Sequence, residues 1–565
     1  MKEQNIESKM ARRLSGGVAL AAFCGMLGVP APALADTASE IKALKDQIKR
    51  LEARMTEQAK TNAQVKNAIN SAKTQPGLVA PPPVFVSFKN GLFVETEDKA
   101  FNFKIGGRMQ IDGGFSSSAD TMSRSNVGFR RAQIWIEGKA YKDWYYRFQY
   151  DFTNSGAQGI RDAYLAYRTK LLPESITGQP VTFQVGNFFE PFSMETTSST
   201  SNITFLERAM PTVLAPSRHT GAAIGVGDKL WSVKGGVFST SPQDTLTAPP
   251  AGESQYWDAT VRGTYAPIQE DDKLLHIGSS FRYHRPNNTT AGTDGAFLRP
   301  GAGTEREEAD ILGGSGTWSR VSTAQDLSCA ATAATLNTSV SGLAGLYYPN
   351  ARRSSCLKYA YSYGFEAAAA YGPLSLQAEY IATRYERDPL NAFLYSGSPN
   401  YNGGSPNYNA GGSSLQFSGY YVQGSYFLTG ESKAEIYNGY DKNWSSPGTF
   451  GAIKIKNPVN KGGWGAWEIA ARFSELNLNN GGLVPGQLVY PSLLIGTAAQ
   501  KAVANTATLG GRQENLTIGL NWYPVNGFRL QANWTKVLTL VAPSDRPYLN
   551  GEHPSLFLAR ANVFW

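Results

Sequence analysis

Phe101-Asn102-Phe103-Lys104-Ile105-Gly106-Gly107-Arg108-Met109-Gln110-Ile111-Asp112 alternates from end to end. Phe101, Phe103, Ile105, Gly107, Met109 and Ile111 take one face; Asn102, Lys104, Gly106, Arg108, Gln110 and Asp112 take the other. A period of two is that of a strand, whose side chains point to opposite sides of the sheet in turn. Two runs downstream repeat it. Ala132, Ile134 and Ile136 oppose Arg131, Gln133, Trp135 and Glu137, and Tyr146, Phe148, Tyr150 and Phe152 oppose Tyr145, Arg147, Gln149 and Asp151. Runs of about ten residues, apolar on one side and polar on the other, suit a tilted strand with lipid outside and water inside.

The same pattern returns over 181–187, 256–265, 273–284, 374–384, 417–427, 466–476, 513–523 and 527–537. Tight connections (Lys139 to Asp143, Asp228-Lys229, Gly372-Pro373, Pro524 to Gly527) alternate with long polar ones, as in outer-membrane barrels. A water-soluble sandwich would hide its apolar face between two sheets and would not need aromatics at so many strand ends. The final run places Phe557, Ala559, Ala561, Val563 and Trp565 on one face and Leu558, Arg560 and Asn562 on the other. It reads as the strand that closes a barrel, since lipid offers no partner to an open edge. The fold expected is all-β, a transmembrane antiparallel β-barrel. Roughly seventeen candidate strands compete for an even number. Either 432–440 belongs to a long connection or another strand lies within 477–512; sixteen is the preferred count and eighteen the alternative. Both leave a lumen too wide for side chains alone to fill.

Composition narrows the class. Among 565 residues, 17% are charged and 12% aromatic, with 53 Lys+Arg against 45 Asp+Glu for a net charge of +8. Aromatic content this high excludes chain-wide disorder. Beyond the N-terminus no run approaches the roughly 18–20 apolar residues of a spanning helix. The positive excess is spread along the chain, with no basic cluster, so no nucleic-acid partner is expected. Lys9, Arg12 and Arg13, the apolar stretch Gly17 to Val29 and then Ala33-Leu34-Ala35 have the three parts of an export signal, residues 1–35. Cys24 leaves with it, and in an oxidising compartment the remaining Cys329 and Cys356 are a candidate disulfide; two free thiols are the alternative. Over 36–75, Ile41, Leu44, Ile48, Leu51 and Met55 fall at heptad positions of an N-terminal α-helical coiled coil. Residues 76–90, containing Pro81-Pro82-Pro83, read as a stiff linker, and the barrel is expected over 91–565.

Enzymatic readings find no support. The four histidines, His219, His276, His284 and His553, form no metal-spaced set, and there is no nucleophile elbow or phosphate-binding glycine loop. The expectation is a protein that is not an enzyme and needs no cofactor or metal.

Gly186-Asn187-Phe188-Phe189-Glu190-Pro191-Phe192, followed by Ile203-Thr204-Phe205-Leu206-Glu207-Arg208-Ala209, resembles the hallmark of the phosphate-selective porin O and P family. Phe129-Arg130-Arg131-Ala132, Tyr426-Phe427-Leu428-Thr429-Gly430-Glu431, Gly465-Ala466-Trp467-Glu468 and Gly519-Leu520-Asn521-Trp522-Tyr523 fit the same family in the expected order. The resemblance spans roughly residues 90–565. It implies a sixteen-stranded homotrimeric channel in the Gram-negative outer membrane, with a long loop, here 188–218, folded into the lumen. It implies also that basic residues near the constriction conduct small anions, phosphate among them.

The residues themselves carry a weaker bias. Lys104, Arg108, Arg131, Arg147, Arg168, Arg262, Arg282, Arg472, Arg529 and Arg560 lie on polar faces, against Asp112, Glu137, Asp151, Asp162, Asp258, Glu366, Glu379 and Glu468. Ten against eight is close to balance, so many arginines are expected to brace the wall by pairing with carboxylates. The narrower candidate filter is Arg108, Arg130 and Arg131 on the first hairpin with Arg208 and Arg218 of the infolded loop, supported by Lys104 and Arg147. Arginine suits phosphate because its planar fork donates two hydrogen bonds at fixed charge. Arg130 falls on the outward face of the alternation. Phe189 stands where the family often has lysine, and with Glu190, Glu195 and Glu207 it is expected to weaken anion preference. The alternatives are a weakly selective or organic-nutrient channel of the same build, or a barrel that tethers the outer membrane to peptidoglycan through its periplasmic coil.

Overall fold

The computed structural model describes residues 83–88, 91–117, 124–170, 179–242, 256–285, 357–387, 414–480, 508–541 and 550–565, together with scattered residues between Asp46 and Gln64 that are helical. The export signal, Cys329, Cys356 and the connections 286–356 and 481–507 lie outside the described residues. The helical residues belong to one unit, and 83–565 form a second.

This second unit opens with a hairpin, β1 (Val84–Phe88) and β2 (Leu92–Thr96). Residues 84–88, expected as linker, are therefore strand; their alternation is too short to stand out beside three prolines. The wall begins with β3 (Asn102–Ser117), β4 (Arg124–Ala140), β5 (Trp144–Asp151) and β6 (Ile160–Thr169). It continues through β7 (Val181–Phe189), β8 (Arg218–Gly227), β9 (Trp231–Phe238), β10 (Trp257–Gln269) and β11 (Lys273–Arg285). Next come β12 (Leu357–Tyr371), β13 (Leu374–Arg387) and β14 (Ser414–Phe427). Two short strands, β15 (Tyr437–Asn438) and β16 (Thr449–Phe450), pair only with each other. Finally β17 (Ala466–Asn480), β18 (Thr508–Tyr523), β19 (Phe528–Val541) and β20 (Ser555–Phe564) return the chain to its start.

Neighbours pair antiparallel throughout, and β20 pairs with β3 from Phe564↔Arg108 to Ser555↔Ser117, which closes sixteen strands into a barrel. β2 uses the remainder of the same edge of β3, from Leu92↔Ile105 to Glu95↔Asn102. At the seam Trp565 exchanges backbone hydrogen bonds of 3.0 and 3.1 Å with Gly107. Its ring leaves no room for a side chain there, since a Cβ on Gly107 would come within 2.2 Å of it. The strand alternation holds as read: Phe115, Ile134, Phe148, Val185 and Phe557 face outward, while Gln110, Gln133, Gln149 and Arg560 are buried inside.

The count of sixteen is settled by residues 432–440, which belong to a connection. That connection, 428–465, lies at the end of the barrel where 141–143, 228–230, 270–272, 372–373 and 524–527 are tight turns. It departs from the expected short–long alternation: instead of turning, it enters the lumen and carries β15 and β16 with it. There Ala434, Ile436, Tyr437 and Phe450 pack against Ala266, Leu274, Ala368 and Ala370 of the wall and Met194 of the other inserted segment. From the opposite end, residues 190–217 fold inward between β7 and β8. Phe192, Met210 and Leu214 pack against Ala360, Ile381, Tyr385, Phe417, Leu476 and Val537. Hydrophobic driving force is available here because these side chains leave the water of the lumen, and full burial of each contributes about 1.5–3 kcal/mol. Two apolar clusters thus fill the side of the lumen facing β10–β14, β17 and β19, and open space remains beside β3–β7.

Candidate functional site: the lumen cavity beside β3–β7

The hallmark stretch is built for anchoring. Gly186 sits at φ +126°, where a Cβ would meet the Ala163 carbonyl oxygen at 2.2 Å, so only glycine lets β7 lie this close to β6. Asn187 donates to the Arg161 carbonyl. Glu190 is fully buried, contacts His219 Nδ1 and accepts from Thr260. The helical turn Met194–Thr197 presents its first N–H groups to Glu379, at 3.1 and 2.7 Å. Further along, Glu207 lies between Arg130, at 2.9 Å, and Arg560, at 2.7 Å. Burial opposes its charge, but Arg130, Arg560 and Arg131 outweigh burial and hold the carboxyl well below the usual range. Arg472 reaches Glu195 at 3.3 Å, and Arg529 donates to the Ile203 and Thr204 carbonyls, both at 2.7 Å. The infolded loop is therefore clamped to the wall by charge on one side and apolar packing on the other.

This clamping changes how three acids count. Glu190, Glu195 and Glu207 were expected to oppose anions, yet each is buried with a cationic or hydrogen-bonding partner and none lines the open space. The expectation that wall arginines pair with carboxylates holds on the far side, for Arg262 with Glu366 and Arg282 with Asp258 at 2.8 Å, and at the seam, where Arg560 is bidentate to Asp112 at 2.6 and 2.7 Å.

The open space is a cavity of about 650 Å³. Arg108, Arg131, Lys139, Arg147, Arg161, Arg208 and Arg218 line it, against only Glu137 and Asp162. Seven cations to two acids is a far stronger bias than the whole-lumen count of ten to eight, because Asp112, Asp258 and Glu366 pair with wall cations elsewhere while Glu379 and Glu468 hold the inserted segments. Arg108 donates to Gln133 at 3.1 Å and to the hydroxyls of Ser201 and Ser199 at 3.2 and 3.4 Å, all neutral partners. Arg131 donates to Gln110 at 2.9 Å. Arg147 pairs with Glu137 and, at 3.2 Å, Asp162, while Arg218 meets the other oxygen of Asp162 at 2.7 Å.

Two candidates do not line the cavity. Lys104 stands nearer the turn end, across from Glu137 on β4. Arg130 is occupied with Glu207, and its inward direction needs a bulge. Gln110 faces Arg131 and Ile111 faces Phe129, leaving Arg130 as the extra residue of β4. Alternation alone would have sent it to the lipid; the bulge turns two consecutive arginines inward while Phe129 stays outside. Arg208 does line the cavity but is also a staple of the loop, donating to the carbonyls of Glu195, Thr196 and Ser198 at 3.1, 2.9 and 3.2 Å.

Phe189 has a role that sequence reading missed. Its ring lies 3.8 Å from the Arg218 guanidinium carbon and 5.5 Å from that of Arg208, so it holds two cations at the cavity wall where a lysine would add one. Arg161 and Lys139 were also passed over, as was the whole contribution of 438–452 from the turn-side segment. Polar runs without strand periodicity gave no sign that they enter the lumen.

For a metal, Glu190, His219 and Asp258 offer ligand atoms within 4.8 Å of one another, brought together from three strand ends. Arg282 already stands in that cluster, 2.8 Å from Asp258 and 3.7 Å from Glu190, as its balancing cation.

Residues 103–348 and 353–556 match the model of the family described as phosphate-selective porin O and P. Porin O of Pseudomonas aeruginosa is 27% identical over 475 residues, 81% of this chain and 87% of that protein. An uncharacterized protein of Caulobacter vibrioides is 22% identical over 88% of this chain and 83% of its own length. Among solved structures, an anion-selective porin from Comamonas acidovorans aligns at 10% identity and a TM-score of 0.40, covering 82% of this chain and all of that one.

Proposed function

This chain belongs to the phosphate-selective porin O and P family, and on that premise we propose that it is an outer-membrane channel for passive diffusion of small anions, phosphate favoured. The observation that carries the reading is the cavity lining, seven cations against two acids. Anions are drawn to such a wall by the summed field of several guanidinium groups. A series of sites with incomplete coordination also lets each ion leave, which conduction requires. The protein binds, orients and releases; no bond is made or broken. Support for phosphate comes from the guanidinium forks at the cavity and from the 27% identity to Porin O.

The test is the reversal potential of the purified protein in a planar bilayer under a KCl gradient, followed by addition of phosphate. Chloride selectivity with block by micromolar to millimolar phosphate is expected. Potentials near zero or cation-selective, without block, would overturn the reading. To the same proposal belong a homotrimer and a periplasmic coil over 36–75 that holds peptidoglycan. The heptad residues Ile41 to Met55 and the helical residues between Asp46 and Gln64 support the helix. Loss of retention on peptidoglycan sacculi when 36–75 are deleted is the expected result.

A further inference from the structure

The cavity has a second kind of wall. Trp444, carried in by the turn-side segment, meets Tyr145 of β5 with ring centroids 5.5 Å apart at 65° and Tyr164 of β6 at 6.2 Å and 83°. The Arg168 guanidinium lies 5.6 Å from the Tyr145 ring and 5.9 Å from that of Trp444. Trp444, Tyr145 and Tyr164 line the same 650 Å³ as Arg108, Arg131 and Arg218. These contacts with the wall help to hold the inserted segment but leave part of Trp444 uncovered. Tyr437, Tyr440 and Phe450 of that segment are buried and do the anchoring, whereas Trp444 is left half-buried at the cavity. A hydrated phosphate ion gains nothing from the face of an indole, and a partly exposed ring face in an aqueous lumen is unfavourable until an apolar body covers it. The cavity volume also falls in the roughly 300–1,000 Å³ range of small-molecule sites.

We propose that this cavity selects anions carried on an aromatic ring, the ring lying against Trp444 and Tyr145 and the anionic group held by guanidinium groups of β3–β8. The inference rests on the anion-channel reading and names the solute class within it. Aromatic faces beside cations favour planar solutes by stacking, while the arginines hold the charge.

The experiment compares block of chloride current through the full-length protein by inorganic phosphate, methyl phosphate and phenyl phosphate. Phenyl phosphate is expected to half-block at about tenfold lower concentration than methyl phosphate, the scale of one ring-stacking contact. Trp444→Ala should reduce that preference to less than about twofold, chiefly by weakening phenyl phosphate block, and Trp444→Phe should keep most of it. Equal block by the two esters in the unmodified protein overturns the inference, whether or not the Trp444→Ala variant folds. So does a preference that survives Trp444→Ala. In either case the anion channel stands. Absence of block by all three, with no chloride preference, removes the anion-channel reading and this inference with it.

Discussion

Among the described residues Arg108 donates to Gln133, Ser199 and Ser201 and to no carboxylate, which on the proposed reading leaves its charge to a passing anion. Arg108→Ala is expected to weaken phosphate block on the order of tenfold, a charged hydrogen bond's worth, with little change in stability; concentration series of single-channel block would measure it. Phe189 acts through what lies on it. Phe189→Leu keeps the bulk but removes the π-face beneath Arg218 and Arg208, and an approximately threefold weaker block is expected from the same recordings. Arg108 was expected in the filter from its place on the first hairpin, but its neutral partners were not readable from residue type, and Phe189 looked like a lost charge. What separates them is partner identity, which depends on residues 25 to 93 positions away for Arg108 and 29 for the Phe189–Arg218 stack.

Both inserted segments are held by contacts that can be broken singly. Glu207 sits at the centre of the loop clamp, and its carboxyl is ionised in the folded state at pH values where the unfolded chain would already bind a proton. The folded value is the depressed one, so the stabilisation is complete above the ordinary carboxylate range. It is lost as pH falls toward the folded value. Loop protection from protease should therefore persist through pH 5 and decline only at strongly acid pH. Glu207→Ala leaves Arg130 without its carboxylate and is expected to cost about 3–5 kcal/mol, measured by urea unfolding from lipid vesicles. On the turn side Tyr437 packs in the apolar cluster and its hydroxyl lies 2.7 Å from His276. Tyr437→Ala should loosen the segment, raising single-channel conductance at a cost of about 3–5 kcal/mol. The infolded loop was legible because its anchors recur as a family motif. The turn-side segment was not, since its strands are two residues long and its apolar residues follow no period.

At the scale of the molecule, the proposed selectivity rests on an uneven sharing of charge: acids are paired on the filled side while cations line the open one. A field made by several cations at a water-filled wall is screened by salt, with a Debye length of about 10 Å at 0.1 M and 3 Å at 1 M. Chloride-to-potassium selectivity, taken from reversal potentials at fixed gradient ratio, should fall across that range. From residues 101–112 to Trp565 the barrel could be read without a structure, because a strand between lipid and water must alternate and a two-residue period is local information. The same holds for closure by the last strand and for the order of the family motifs. Which arginines face the cavity, and that the loop acids do not, was decided only by the tertiary structure. A bulge at Arg130, a segment inserted from the turn end and salt bridges between residues up to 448 positions apart choose each partner, and such pairing has no period along the chain.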